Sequence, residues 1–432
     1  MPKSNLKIKL ARYEIRTDYV NLTIFMSFVL LFLAQTFNVS STIYFLIDVP
    51  IILMIWKNLN RFLHVLMWKP IIPITLTLVV IFIFMLVGST MNNVPLGNVV
   101  YGIYKYYRGF LFFFSTLAVV DSASESRTFS FLKGIFWINV VLTVVEFFFL
   151  GINQDLLGGV FGTIVGVNQY TNLYFVIISV YCIEKIVNRD ADRKELKQVL
   201  IMSACMLAIA ALAEMKYFFA EFLLLLLIAY LCLPKKLKSI FSIILIIVAI
   251  IGFYNILIYM FPEFANLVNE LKRGGFVRLA DLQRHYSTDY DIGRAVIFKY
   301  SNQYLLPDEK NRLIGMGVGN VTSSSIVNNS FWVKNQMTHY DQFYTSYLYN
   351  EQGIVGFILY CLLYFEIFII GLKALLKNKT RKYGTILIML VCGYIMIFVY
   401  NMAIYSQLCF IAFWALAVMV KKCIKDEGEE RR

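Results

Sequence analysis

Apolar stretches, each about as long as a bilayer-crossing helix, run along most of this sequence and constrain its fold more than any other feature. A transmembrane helix needs roughly 20 mostly apolar residues in succession. In this chain of 432 residues, 59% are hydrophobic and only 16% are charged, whereas soluble domains carry about 25% charged residues. We therefore predict an all-α polytopic membrane protein, and we exclude a soluble globular chain and a disordered one.

The apolar stretches predict about 12 transmembrane helices. The second, seventh and eighth are short, so tilted or partly re-entrant paths stay open for them. The predicted spans are 20–37, 41–56, 70–89, 98–120, 135–152, 168–187, 199–215, 217–233, 239–261, 353–372, 385–401 and 403–420.

Basic residues are distributed unevenly between these spans. Alternate connecting segments, together with the two termini, hold 28 of the 40 Lys and Arg residues. Cytoplasmic loops of membrane proteins are enriched in Lys and Arg, so we predict that these segments and both termini are cytoplasmic. The same bias explains the net charge of +13, which is accompanied by no nucleic-acid-binding motif.

The largest departure from a plain helical bundle is the segment 262–352, which we predict to be extracytoplasmic. It holds nine basic and nine acidic residues, and loops of this length are usually functional. We predict three regions: an N-terminal bundle of about nine helices, 1–261; this loop, with short helices and the proposed active site, 262–352; and the last three helices with a cytoplasmic tail, 353–432.

Two patterns stand out in the first part of this loop. Asp291 is placed to cap a helix that runs to Leu306 and places Arg294 on one continuous face. The run Gly315-Met-Gly317-Val-Gly319 follows. It forms either a tight turn, which we favour, or a backbone surface that an anionic or sugar ligand approaches closely.

A third pattern, Thr338-His339-Tyr340-Asp341, has the spacing of a capping box. It predicts a helix with His339 in its first turn, where the helix dipole favours a neutral imidazole that can accept a proton. The alternative is an ordinary polar residue at the membrane surface. The aromatic residues that follow are typical of an interfacial belt, with sugar stacking as the second possibility. They are Tyr340, Phe343, Tyr344, Tyr347 and Tyr349.

Three basic residues, Lys105, Arg108 and Lys216, lie at outer helix ends or inside the membrane under the predicted topology. Charged side chains there are costly and are usually functional. Snorkelling to the interface is the alternative for Arg108 and Lys216.

Four motifs follow one another in order along residues 155–372. They are Gly158-Gly-Val-Phe-Gly162-Thr-Ile-Val-Gly166-Val-Asn168, Ile292-Gly-Arg294, the Gly315/Gly317/Gly319 run, and His339 followed by Glu351-x-Gly353-Ile-x-Gly356. Together they resemble the O-antigen ligase/polymerase superfamily. Two positions depart from its pattern, since Lys216 replaces an arginine and Asp341 stands where Asn is common.

The resemblance implies a membrane glycosyltransferase at the outer face of a bacterial cytoplasmic (inner) membrane. It would polymerise polyprenyl-diphosphate-linked oligosaccharide repeat units into O-antigen or capsular polysaccharide. A diphosphate leaving group needs charge stabilisation rather than a general acid. Cations and one base therefore suffice, and we expect inversion at the anomeric carbon with no metal and no cofactor.

The resemblance also implies roles for individual residues. The expected catalytic residues are His339 as base and Arg294. The expected diphosphate-binding residues are Arg108, Lys216 and Arg294, and the expected pocket-shaping residues are Asn168, Gly315, Gly317, Gly319, Asp341 and Glu351.

Three other functions stay open at this point. A ligase would transfer finished glycan to a lipid acceptor, a flippase would move the lipid-linked oligosaccharide, and a scaffold would do no chemistry. Transporters usually show paired halves, and the sequence shows no internal repeat. The expected partners are the lipid-linked oligosaccharide, the bilayer, a chain-length regulator and a flippase, with no nucleic acid.

Overall fold

The protein is helical throughout the residues described by the computed structural model, which are 3–188, 192–232, 296–322 and 329–429 with positions 252, 255 and 258. The all-α prediction is confirmed for this part of the chain. The first nine helices are α1 (Lys3–Phe37), α2 (Asp48–Lys57), α3 (Leu59–Leu66), α4 (Ile72–Met91), α5 (Leu96–Val119), α6 (Ser122–Phe149), α7 (Asn168–Asn188), α8 (Arg193–Leu212) and α9 (Lys216–Cys232).

Among the described residues of the second half, three short α-helices precede three long ones. They are α10 (Ile297–Tyr300), α11 (Glu309–Ile314), α12 (Ser330–Asn335), α13 (Tyr344–Leu376), α14 (Arg381–Tyr400) and α15 (Cys409–Glu429). The ninth predicted span, 239–261, lies almost wholly outside the described residues, as do Asp291 and Arg294.

Seven of these helices are long and apolar enough to cross a membrane. They are Tyr19–Phe37, Ile72–Met91, Ser122–Phe149, Asn168–Val187, Arg193–Leu212, Tyr344–Leu375 and Arg381–Tyr400. Large apolar side chains on α4 and α6 also face outward, among them Leu76, Ile83 and Phe148. Such surfaces suit lipid rather than water, so the chain has the helices of a membrane protein, while the count of 12 and the sidedness of the loop stay predictions.

Capping residues explain where several helices differ from the predicted spans. Asp121 accepts a hydrogen bond from the Ser124 amide at 2.7 Å, so α6 begins well before the predicted residue 135. Asp192 caps α8 through the Glu195 amide in the same way. The second predicted span, 41–56, lies within the helical segment Ser41–Lys57, which meets the following helix α3 at an angle of 89°.

The centre of the bundle is formed by α5, α13, α14 and α15. Helix α5 packs along α15, and α13 packs along both α14 and α4. Aromatic rings fill the α5–α15 interface, with ring centroids 4.9 Å apart for Phe110 and Phe413 and 5.3 Å apart for Phe112 and Phe410. The N-terminal half of α5 also contacts the beginning of α13, where the Tyr106 ring lies 6.5 Å from Tyr344 and 6.2 Å from Tyr347 by centroid, and polar residues converge there.

Candidate functional site

Arg108 on α5 is an arginine buried inside the helical bundle. Only 8% of the residue is exposed, and its Nε lies 3.2 Å from Asp48 Oδ1. The guanidinium carbon lies 4.8 Å from the centre of the Phe410 ring, and Tyr104 donates its hydroxyl proton to Asp48. Arg108 Nη2 is buried without a hydrogen-bond partner in the described part of the chain. The ion pair therefore holds one edge of the guanidinium, while Nη2 keeps a buried donor that no described residue uses.

Lys105 lies one helical turn before Arg108 and interacts electrostatically with it. Its ammonium is 5.2 Å from the ring centroids of both Tyr101 and Tyr405, and 3.4 Å from the Thr322 hydroxyl. Aromatic faces attract a cation at this distance. The two cations thus lie together near the middle of α5.

Two carboxylates lie close to these cations. Glu351 on α13 is fully buried and interacts with Lys105, as does Asp341. Glu351 Oε1 accepts a hydrogen bond from the Gly319 amide at 2.5 Å, and its Oε2 lies beside the hydroxyl of Tyr106 without a well-aligned hydrogen bond among the described residues. We call Asp48, Lys105, Arg108, Asp341 and Glu351 the polar cluster.

Gly353 places Glu351 by interrupting α13. Its φ is 63° and its ψ is −168°, which is not helical. A Cβ at this position would lie 2.4 Å from the backbone carbonyl of Leu313, so only glycine fits between the two segments. The Glu-x-Gly motif therefore bends the helix and turns the glutamate toward the loop that precedes it.

The glycine run forms a turn packed against this bend. Gly315, Gly317 and Gly319 all have positive φ. The amides of residues 316 and 317 donate to the carbonyls of Asn350 and Glu351 at 2.9 and 3.0 Å, and those of residues 318 and 319 donate to the Ser89 hydroxyl and the Glu351 carboxylate. Since these four amides have partners within the protein, the geometry favours the turn over the ligand-binding surface.

The aromatic residues of this region are buried rather than arranged as an interfacial belt. Tyr340, Tyr344 and Tyr347 are 0–1% exposed, so the belt interpretation is wrong for them, and so is stacking on a sugar. The Tyr405 ring lies 5.1 Å from Tyr344 and 4.9 Å from Tyr347 by centroid, and the hydroxyls of Tyr347 and Tyr405 are 2.9 Å apart. The rings of Tyr344, Tyr347 and Tyr405 pack against one another next to Lys105, and we call them the tyrosine layer.

The predicted capping box does not form. The Thr338 hydroxyl donates back to the Asn335 carbonyl at 2.7 Å, and Asp341 accepts from the Trp332 indole at 2.9 Å. The next long helix begins only at Tyr344. His339 is an exposed residue in the left-handed conformation, with φ 51°, between two 3-10 turns. The helix-dipole argument for its neutral form therefore fails.

Asp341 links His339 to the polar cluster. Burial raises the pKa of the Asp341 carboxyl, while the Trp332 hydrogen bond and the nearby His339 and Lys105 oppose that rise. The pKa of the neighbouring Tyr340 hydroxyl is also raised, mainly by burial. His339 is thus an exposed residue at the edge of the site, and the half-buried Asp341 carboxyl interacts with both His339 and Lys105.

Of the remaining sequence-predicted residues, the structure describes Lys216 and Asn168, and each begins a different helix. Lys216 is the half-buried first residue of α9, and its neighbour Tyr217 stacks on Tyr400 with centroids 4.1 Å apart. Asn168 begins α7 and donates to Asp155 at 2.5 Å, rather than to a member of the polar cluster. Arg294 lies outside the described residues.

Sequence reasoning missed the partners of the two cations on α5. The spacing of Lys105 and Arg108 was an available signal, because residues three apart share a helix face. No sequence signal connected Asp48 to Arg108, since the pair joins helices that are distant in sequence. The described residues thus bring together Lys105, Arg108, Asp341, Glu351 and, at the edge, His339.

No protein-family profile matches this chain, and no curated protein matches it at a significant level.

Proposed function

We propose that this protein is a membrane glycosyltransferase that extends polyprenyl-diphosphate-linked oligosaccharides at the outer face of the cytoplasmic membrane, as a polysaccharide polymerase does. One observation carries the proposal: a buried arginine, held by a carboxylate on one edge, keeps an unpartnered donor beside a second cation. Buried cations of this kind suit a phosphorylated ligand, because charge-assisted hydrogen bonds to phosphate are strong.

The diphosphate is the leaving group in this reaction. Arg108 and Lys105 lie next to each other and stabilise the negative charge that develops as the bond from the anomeric carbon to the phosphate oxygen breaks. Asp48 orients the Arg108 guanidinium through its ion pair with Nε. Lys216 and Arg294 supply further positive charge in this proposal.

His339 accepts the proton from the incoming sugar hydroxyl. Its exposed position suits a soluble or membrane-tethered acceptor arriving from outside, and Asp341 stabilises the resulting imidazolium. The acceptor oxygen forms the new bond to the anomeric carbon as the diphosphate departs from the opposite face, so the configuration inverts. A positioned base of this kind contributes roughly 10²–10⁴-fold to the rate.

Glu351 and the three glycines have a positioning role. The carboxylate binds the Gly319 amide on one side and interacts with Lys105 on the other. Glu351 therefore fixes the Lys105 ammonium relative to the turn of residues 315–319. The neighbouring tyrosine layer excludes water from the ammonium. Asn168 forms part of the wall of the substrate pocket in this proposal.

The test uses the full-length protein in proteoliposomes with a polyprenyl-diphosphate-linked repeat unit, followed by separation of products by length. We expect the wild type to produce a ladder, and His339→Ala and Arg108→Gln to abolish it at equal protein level. Lys310→Gln is the matched control, because this exposed lysine donates to the Met91 carbonyl away from the polar cluster. It should leave the ladder intact.

The alternatives give different products. A ligase would transfer glycan only when a second lipid acceptor is present, and a flippase would move the substrate across the bilayer without lengthening it. A ladder that persists in both His339→Ala and Arg108→Gln would refute the assignment of the site.

A further inference from the structure

A carboxyl group that has no role in the proposed reaction lies between α7 and α9. Glu221 is 0% exposed and its neighbour Asn172 is 3% exposed. The Asn172 amide donates to Glu221 Oε1 at 3.3 Å, and we call the two side chains the buried pair. Within the described part of the chain Glu221 forms no ion pair, and a buried carboxylate without a cation is very costly. An ionised Glu221 would therefore lack the compensation that Arg108 gives to Asp48.

Apolar side chains surround the buried pair. The rings of Phe175 and Phe218, which belong to the same two helices, pack with centroids 5.6 Å apart. One turn farther along, α14 comes close at Gly393, where a Cβ would lie 2.6 Å from Val176 and 3.7 Å from Leu225. Helices α7, α8 and α14 pack against α9, and no titratable side chain that the structure describes on them interacts with the carboxyl. The surroundings thus supply neither a counter-charge nor a second hydrogen-bond donor.

Two oxygen atoms of the buried pair have no hydrogen-bond partner among the described residues. They are Glu221 Oε2 and Asn172 Oδ1. In a carboxylate and an amide both of these atoms accept hydrogen bonds, so neither satisfies the other. A proton taken from water and bound to Oε2 turns this oxygen into a donor, for which the amide oxygen of the same contact is the acceptor. One hydrogen thus gives both oxygens a partner and also removes the buried charge.

We infer that Glu221 is a proton-binding site inside the bundle, and that its protonated carboxyl forms two parallel hydrogen bonds with the Asn172 amide. A carboxylic acid in an apolar site can stay neutral at neutral pH and donate a hydrogen bond in this way. The buried pair lies about 6 Å along α7 from Asn168 and about 8 Å along α9 from Lys216. It therefore fixes the spacing between the beginnings of these two helices, whatever chemistry they serve.

The first test measures the infrared carbonyl stretch of protonated carboxyl groups, with the full-length protein in detergent micelles at neutral pH. We expect Glu221→Gln to remove one such band from the wild-type spectrum. Glu195→Gln is the matched control, because Glu195 forms an ion pair with Lys185 at 2.9 Å. Its loss should leave this region of the spectrum unchanged. A spectrum of Glu221→Gln that equals the wild-type spectrum in this region would overturn the inference.

Thermal unfolding in the same micelles tests the two hydrogen bonds. Glutamine has the shape of a protonated glutamate, and it can donate to Asn172 Oδ1 while accepting from Nδ2. Glu221→Gln should therefore unfold at the wild-type temperature, whereas Asn172→Leu leaves the carboxyl unpaired and should unfold at a lower temperature. A clear loss of stability in Glu221→Gln, or none in Asn172→Leu, would contradict the protonated pair.

A metal cation is the other occupant that two oxygen acceptors could bind. The same unfolding measurement in sodium chloride and in choline chloride separates it from the proton. We expect equal unfolding temperatures in the two salts. A rise in sodium chloride alone that disappears in Glu221→Gln would show that the site holds a metal cation instead of a proton.

Discussion

The ion pair between Asp48 and Arg108 makes a quantitative prediction, since both side chains are about nine-tenths buried, at 12% and 9% exposure. Replacing Asp48 by Asn removes the negative charge and leaves the guanidinium in place. Breaking a buried pair by removing one partner costs about 3–5 kcal/mol, because the remaining charge is desolvated and uncompensated. We expect Asp48→Asn to lower the free energy of unfolding by that amount.

The second half of the prediction concerns the double variant. Removing both charges eliminates the uncompensated cation, so Asp48→Asn with Arg108→Gln should be more stable than Asp48→Asn alone. Residues in direct contact show such non-additivity, typically 0.5–3 kcal/mol. Reversible unfolding in mixed micelles, measured for the wild type, both single variants and the double variant, gives the coupling free energy directly.

Two results would refute this reasoning. The first is a free energy of unfolding for Asp48→Asn within about 0.5 kcal/mol of the wild type, which is the range of an ordinary surface change. The second is strict additivity of the two substitutions. Either would show that the carboxylate does not hold the guanidinium, and the proposed orientation of Arg108 toward the diphosphate would lose its basis.

Three further predictions concern the residues around the polar cluster. Gly353→Ala should destabilise the protein by at least about 1–3 kcal/mol, the cost of a backbone region that essentially only glycine adopts, because its φ is 63° and its ψ is −168° and its Cβ would also meet the Leu313 backbone. Gly134→Ala, where the space is open, should be neutral or stabilising in the same unfolding measurement. His339→Gly should leave stability unchanged or slightly higher, since glycine accepts φ 51°, yet it should reduce chain elongation by about 10²–10⁴-fold, and equal losses of stability and rate would contradict a catalytic role. Burial raises the pKa of Asp341, so the folded protein holds this proton more tightly than the unfolded chain does. The resulting contribution to stability is fully present below the unfolded-state pKa and is lost as pH rises through the folded-state pKa, because the charged carboxylate is then buried. Asp341→Asn should therefore match the wild type in acid and become relatively more stable as pH increases, and a parallel pH dependence of the two proteins would contradict this.

The helical class and most helix positions follow from the sequence because a bilayer-crossing helix leaves a long apolar signal. Helix ends were less predictable. Asp121 extends α6 by capping it in a polar segment, and the 89° bend before α3 follows from packing that hydropathy does not record. The predicted helix at Thr338 failed because a capping-box pattern fixes no conformation unless a helix follows directly.

The site was predictable in its residue types but only partly in its arrangement. Lys105 and Arg108 stand out as cations in an apolar stretch, and Glu351 with Gly353 stands out as a motif. Their convergence depends on the bend at Gly353 and on the packing of α5 against α13. The tyrosines were misassigned to a lipid-facing belt because aromatic residues near a helix end look the same in sequence whether they face lipid or protein.

The turn formed by residues 315–319 has a consequence for how such a protein diversifies. The amides of residues 316–319 already donate hydrogen bonds to α13 and to the Ser89 hydroxyl. They are therefore not available to bind a phosphate. In the proposed glycosyltransferase, discrimination between glycans at this turn would then depend on side chains, which can be exchanged one at a time without rebuilding the main chain. The three glycines, in contrast, tolerate almost no replacement, so the backbone of this turn stays fixed while the side chains around it change.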